Sequence, residues 1–366
     1  PSFGGVLLVA GVRGFRRRLM RRVDHALRAP VDPPGIAGFP QSRRAPESRG
    51  SALRCQPLVV APSHRARGAI AKEIPMAVSD RFKTLLDRIE PSPTTQQLVE
   101  SHRSSVASHL KNAFEANQVK LIGSHARGTA VGNVSDIDLL LVLSRSDVTR
   151  GGVRSSSQSV LGSVRRELQA RFRNTDIGRD GQAVVVDFGD GRHPVDVVPG
   201  VYLGPGYNNY PVYEIPDGGG AWMQTSPEVH NRHIADADQR SGSKLKGVAR
   251  LLKFWRKTRS APVSSFHMEL VLAESGICTV PKSYATALAD ALSLLAQRQG
   301  RALQDPLGIS GWVQATNTDS KRQQLAASLR ASAEHAQAAV YNDGWGSYSE
   351  AYRQWDLVFN GQFPKQ

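Results

Sequence analysis

Residues 121–143 read LIGSHARGTAVGNVSDIDLLLVL, and this stretch limits what the chain can fold into more than any other. An apolar run, 119–122, has the length of a short strand. Gly123 and Ser124 follow as a turn, then a loop of small residues, then Asp136-Ile137-Asp138 at the head of a second apolar run, 139–143. If residues 136–143 form a strand, its side chains alternate, so Asp136 and Asp138 share one face while Ile137 and Leu139 face a core. Two carboxylates about 7 Å apart along a strand are costly to bury without a cation between them. Hard oxygen ligands of this kind suit Mg²⁺ or Mn²⁺. A lone Asp-x-Asp is equally well read as two solvated acids; the Gly-Ser pair ahead of it argues for chemistry. Glycine lets a phosphate approach the backbone, and N–H groups with a serine hydroxyl can cradle its oxygens.

A third acid follows. Residues 183–199 read AVVVDFGDGRHPVDVVP, two strand-like runs joined by Gly-Asp-Gly-Arg, which signals a hairpin. Asp196 lies inside the second run, between Val195 and Val197, where an unpaired acid would be costly. Asp187 competes for the role but adjoins the turn and is read as structural.

Around this centre the pattern is that of a folded enzyme. Residues 98–114 read as a helix with Val106, Leu110 and Phe114 on one face, and 156–172 as another through Leu161, Val164, Leu168 and Phe172. Residues 200–221, rich in Gly, Tyr and Pro, read as a long loop. In 243–257, Leu245, Val248, Leu252 and Trp255 form a core face, with Lys246, Arg250, Lys253 and Lys257 as a basic stripe nearly opposite. Ser264 and Ser265 open a further helix, whose N-terminus can bind phosphate. His230 and His233 stand at i, i+3 without a matching Cys or acid cluster, so no metal is assigned to them. Arg127 and His193 are left to solvent, phosphate or turn.

The net charge of +15 suggests nucleic acid until it is located. Residues 1–75 carry 14 Lys/Arg against 4 Asp/Glu, which leaves a net of only +5 on the rest. That segment is rich in Pro, Gly, Ser and Arg and lacks periodicity, so a disordered basic tail is expected. It reads most simply as sequence upstream of a start at Met76, and otherwise as an organelle presequence or a nucleic-acid arm. Cys55 and Cys278 fit neither a disulfide framework nor a zinc site, and no apolar run approaches the ~18 residues of a membrane span. A cytoplasmic protein is expected.

Strand, Gly-Ser, loop, Asp-x-Asp strand and later carboxylate together resemble the polymerase-beta-type nucleotidyltransferases. RLLKFW (250–255), PVSSFHMELV (262–271) and WDLVFNGQFP (355–364) narrow this: they are similar to segments of the cGAS/DncV-like nucleotidyltransferases. That family includes animal cyclic GMP-AMP synthase, the oligoadenylate synthases and bacterial makers of cyclic oligonucleotides in anti-phage defence. The resemblance covers about residues 76–366 and implies an α+β, two-lobed fold. Residues 76–225 would form a mixed β-sheet palm with an N-terminal helix, and 226–366 a helical C-terminal lobe.

Carried over by position, Asp136, Asp138 and Asp196 would be the catalytic acids and would bind two Mg²⁺, with Mn²⁺ as a substitute. Gly123 and Ser124 would hold the triphosphate, Lys253 and Ser265 would contact donor phosphates, and Phe266 would stack on a base. The partners implied are NTP substrates and an effector that responds to a cyclic product, without stable nucleic-acid binding. His125 stands where an aromatic or small hydroxyl residue is common, and the zinc ribbon of the animal DNA sensor is absent from the pattern. A linear-product or RNA-tailing transferase shares the same palm, and a catalytically silent, antitoxin-like module is the reading from another class.

Overall fold

The computed structural model describes residues 78–365 other than 115, 117, 190 and 191. The basic tail expected over 1–75, the start expected at Met76, and the middle of the Gly-Asp-Gly-Arg turn lie outside the described residues.

Two helices come first, α1 (Val78–Ile89) and α2 (Pro93–Ala113). Helix α2 begins ahead of its apolar pattern, because Ser92 caps it through the Thr95 N–H and Pro93 occupies the first turn. Strand β1 (Gln118–Ile122), the single-turn helix α3 (Gly123–Arg127) and strand β2 (Ile137–Leu143) hold the diagnostic stretch. A small hairpin, β3 (Thr149–Arg150) with β4 (Val153–Arg154), precedes α4 (Ser157–Arg171), which Ser156 caps through the Ser159 N–H. Then come β5 (Asp176–Asp180), β6 (Ala183–Asp187), β7 (Val195–Pro205), β8 (Pro211–Pro216) and β9 (Trp222–Thr225).

These strands make one mixed sheet in the order β1-β2-β7-β6-β5, with β8 against β7 and β9 against β8. Only the β2–β7 pair is parallel. The expected long loop over 200–221 is therefore a correction. Strand β7 continues to Pro205 and turns back into β8 through Asn208 and Asn209, both at positive φ, a conformation asparagine tolerates. The turn closes with the Gly206 N–H donating to the Tyr210 carbonyl at 2.7 Å.

The sheet's two faces follow the alternation in β2. Ile137, Leu139, Leu141 and Leu143 pack against Val106 and Leu110 of α2 and Val164 and Leu168 of α4. Leu140 and Val142 face the other way, toward Val198, Tyr213 and Ile215. Each fully buried leucine contributes about 1.5–3 kcal/mol. A one-residue slip would exchange the two faces, so the register that places Asp138 is held firmly.

The second half is helical: α5 (Pro227–Arg240), α6 (Leu245–Thr258), α7 (Ser265–Ser275), α8 (Tyr284–Arg298), the short hairpin β10 (Leu303–Gln304) with β11 (Trp312–Val313), α9 (Asp319–Gly344) and α10 (Tyr348–Val358). Trp255, Phe266, Leu288 and Trp355 share one core with Phe82 and Leu85 of α1. The ring of Phe82 meets Trp355 edge-on at 4.8 Å. Helix α1 precedes the palm in sequence yet gives its apolar face to the helical lobe. Among the described residues no helix is long and apolar enough to cross a membrane.

Candidate active site

The parallel register of β2 and β7 sets Asp138 opposite Asp196, and paired strands lie about 4.8 Å apart. Asp136 is the residue just ahead of β2. Asp138 lies on the face away from the palm helices, as the alternation predicts. The β6–β7 register puts Val185 opposite Asp196, which leaves Asp187 at the end of β6, paired with Asp176 toward the sheet edge. That geometry favours Asp196 as the third acid. Asp187→Asn should therefore cost far less NTP turnover than Asp196→Asn; the reverse ranking would reassign the role.

Asp138 is 6% exposed. Burial, and next the nearby charge of Asp136, push its pKa up to about 7, against the opposing pull of Arg127, Lys253 and the Ser124 N–H. The Gly-Ser pair is thus more than a turn before a loop. It opens α3, and the Ser124 backbone N–H is engaged with Asp138. Gly123 has φ +67°, and a Cβ there would stand 1.8 Å from Asp138 Oδ2. The glycine lets a carboxylate approach the backbone, where the sequence reading had a phosphate. Its neighbour His125 is pushed down to about 4 by burial, so its ring is neutral near pH 7.

On the helical side the basic stripe of α6 is not a solvated face. Lys253 is 3% exposed. Its Nζ donates to the carbonyl and to Oγ1 of Thr129, both at 3.0 Å, and pairs with Glu269. All three ammonium protons are used, so the expected phosphate contact is corrected: Lys253 binds one lobe to the other. Arg250 pairs with Glu90 at 2.5 Å, and only Lys257 of the four is exposed. Arg256, one turn beyond Lys253, donates to the Ser265 hydroxyl at 3.3 Å and feels the charge of Asp136.

Glu269 is the hub of the interior charges. Its Oε2 accepts from Arg127 Nε at 2.5 Å and its Oε1 from the Thr129 hydroxyl at 2.6 Å. Burial alone would raise its pKa; the charges of Arg127 and Lys253 outweigh that and hold it at about 2. Arg127 lies in this network and not in solvent.

Phe266 is a second correction. It is 1% exposed, with His230 edge-on at 5.1 Å and the Arg127 guanidinium 5.2 Å over its ring, so the ring is packed in the interior rather than presented to a base. Ser264 caps α7 through the His267 N–H, which pins the phenylalanine inward. Phe266→Ala should destabilise the fold by about 3–5 kcal/mol, measured by chemical denaturation. Unchanged stability with lost NTP binding would restore the stacking role.

The other residues weighed in the sequence are occupied as well. His230 meets both carboxylate oxygens of Asp305 at 3.1 Å, and His233 pairs with Glu274 at 2.8 Å. The ring Nδ1 of His193 is hydrogen-bonded with the Ser135 carbonyl at 3.2 Å. Glu269 and Arg256 were missed. The signals available were an acid inside the apolar run FHMELVLA and an arginine at i+3 from Lys253.

A cavity of about 40 Å³ lies between the lobes, lined by Gly123, Arg127, Asp138, Gln182, His230 and Phe266 among others. Its volume suits a water or two. A larger hollow of about 180 Å³, around Arg240, Leu272 and Cys278, is not lined by Asp136, Asp138 or Asp196. Among the described residues no three His, Cys, Asp or Glu side chains are gathered closely enough to hold a metal. The donor set still fits a hard divalent cation. Two carboxylates stand directly opposite each other on one sheet face, and the buried one feels the like charge of Asp136, which a cation would offset.

A mixed sheet that carries paired acids behind a Gly-Ser helix start, closed by a helical lobe, defines a nucleotidyltransferase. Residues 76–238 match the family model described as the Second Messenger Oligonucleotide or Dinucleotide Synthetase domain. Over those residues the chain is similar to the cGAS/DncV-like nucleotidyltransferases. It is 23% identical over 291 residues to a probable cyclic nucleotide synthase of Bacillus cereus, covering 71% of this chain and 86% of that one. It is 27% identical over 194 residues to a cyclic AMP-AMP-AMP synthase of an Acinetobacter species, covering 50% of this chain and 53% of the relative. Its fold is similar to Escherichia coli CdnC with ATP, with a TM-score of 0.62 at 20% identity over 79% of this chain and 98% of the other. Vibrio cholerae DncV in its apo form gives a TM-score of 0.52 at 14% identity, over 79% and 85%.

Proposed function

We propose that this chain joins NTPs into a cyclic oligonucleotide, a cyclic di- or trinucleotide, and releases pyrophosphate. The observation that carries this reading is the pairing of Asp138 with Asp196 across β2 and β7, with Gly123 and Ser124 packed against the first of them. Relatives named as cyclic nucleotide synthases support the cyclic product, and two named as cyclic AMP-AMP-AMP synthases make ATP the first substrate to try. Solved neighbours with bound ATP or GTP support NTPs as substrates.

In this reading Asp136, Asp138 and Asp196 would hold two Mg²⁺. When bound, these ions would offset phosphate charge and lower the pKa of an attacking hydroxyl. The residues do the rest. Asp196 accepts the proton of the acceptor ribose hydroxyl as that oxygen attacks the α-phosphorus in line and pyrophosphate departs. Gly123 and Ser124 face the donor triphosphate, and Ser265, already bonded to Arg256, offers its hydroxyl on the opposite wall. A buried wall excludes water, which would otherwise take the place of the acceptor. The enzyme is assigned to the cytoplasm, and its product to an effector of anti-phage defence.

Pyrophosphate release from ATP with Mg²⁺ tests the reading. Release should stop on chelation and return with Mg²⁺ or Mn²⁺. Release that is indifferent to a chelator would refute the acid assignment, and none with any NTP mixture would favour a silent binding module.

A further inference from the structure

Thr129 and Arg127 belong to the palm, Lys253 and Glu269 to the helical lobe, and the first three meet at the Glu269 carboxylate. The side chains of Arg127 and Glu269 are 4% and 1% exposed. With Nε bonded to Glu269, the guanidinium is fixed over Phe266, and its Nη2, buried, has no hydrogen-bond partner among the described residues. Arg127 also lines the cavity shared by Gly123 and Asp138. A buried guanidinium N–H left unbonded is expensive, and an anionic oxygen in the cavity that Arg127 lines would be a partner for it.

From this we propose that Glu269 is a positioning residue. Its carboxylate, on the helical lobe, aims the palm's Arg127 guanidinium at an oxygen of the donor triphosphate, so that donor binding depends on contact between the lobes. Lys253 and the Thr129 hydroxyl fix the carboxylate in turn. Lys253 is buried and desolvation lowers its pKa, against the opposing pull of the Glu269 charge. The charged and titratable groups around that lysine are Glu269 of α7, Arg127 and His125 of α3, and Asp138 of β2. The inference rests on the NTP-joining activity proposed above.

A double-mutant cycle tests it, with Glu269→Gln and Arg127→Met measured on NTP turnover and on binding of inorganic tripolyphosphate. Glutamine keeps the shape but not the charge. Glu269→Gln should raise KM for NTP about tenfold, as loss of a charge-assisted contact does, with kcat changed less than about threefold. Tripolyphosphate affinity should fall in parallel. In the Arg127→Met background the same change should add less than about threefold, because the carboxylate acts through that arginine. A merely structural role predicts additive losses in both backgrounds and overturns the proposal, as does an unchanged KM. Should Glu269→Gln lose the wild-type melting transition, Thr129→Val takes its place, with the same non-additivity expected and additivity equally fatal. Wild-type protein that releases no pyrophosphate from any NTP would refute the proposed activity, a result separate from these.

Discussion

Asp138→Asn is expected to lower NTP turnover by a thousandfold or more while leaving the protein at least as stable. Asparagine has the same shape but cannot carry the negative charge that two divalent cations require. Loss of one ligand of that kind removes several kcal/mol of transition-state stabilisation, and each 1.36 kcal/mol is tenfold in rate. The stability half comes from burial. Asp138 is almost wholly enclosed and lies near Asp136, so the charge is a burden to the protein without metal. Thermal unfolding in a chelator should give a melting temperature equal to or above wild type. Turnover within tenfold of wild type would sink the metal assignment, and a large drop in melting temperature would mean that the carboxylate serves the fold.

Gly123→Ala is expected to be nearly as damaging to turnover, although it removes no functional group. The added Cβ would stand 1.8 Å from Asp138 Oδ2 and 2.8 Å from its Cβ, at a backbone φ of +67°. Either the acid is displaced or the start of α3 shifts, and the left-handed conformation adds about 1 kcal/mol or more of strain for any L-residue. A displacement of about 1 Å at a reacting group can cost a hundredfold in rate. Turnover and melting temperature should be measured together. Activity down at least a hundredfold with a modest stability loss is expected; wild-type activity would show that the carboxylate need not nest against the backbone.

The centre of the fold could be read because it is local. The alternation of Asp138 with Ile137 and Leu139, the Gly-Ser pair ahead of them, and Asp196 between two valines are patterns of a few residues, and the β2–β7 register then joins them. What could not be read is where long-range packing decides. Lys253 lies on a basic stripe that any helical pattern would give to solvent, yet Glu269 and Thr129 draw it inside. Phe266 follows a serine pair that suits phosphate, but α7 is buried almost all round, so no amphipathic pattern warned that the ring would serve the core. Helix α1 carries a clear apolar face, and nothing local says which lobe receives it. The strand at 200–205 was hidden by glycines and prolines that mark a bulge and a turn rather than a loop.

Mass analysis of products, from wild type and Asp138→Asn incubated in parallel with all four NTPs and Mg²⁺, tests the central claim most directly. The wild type should yield a species with the mass of two or three nucleoside monophosphates joined with loss of one water per linkage, ring closure included. That species should resist phosphatase because it carries no terminal phosphate, and the variant should yield none. A linear product that keeps its 5′-triphosphate, or equal product from both proteins, would contradict the account.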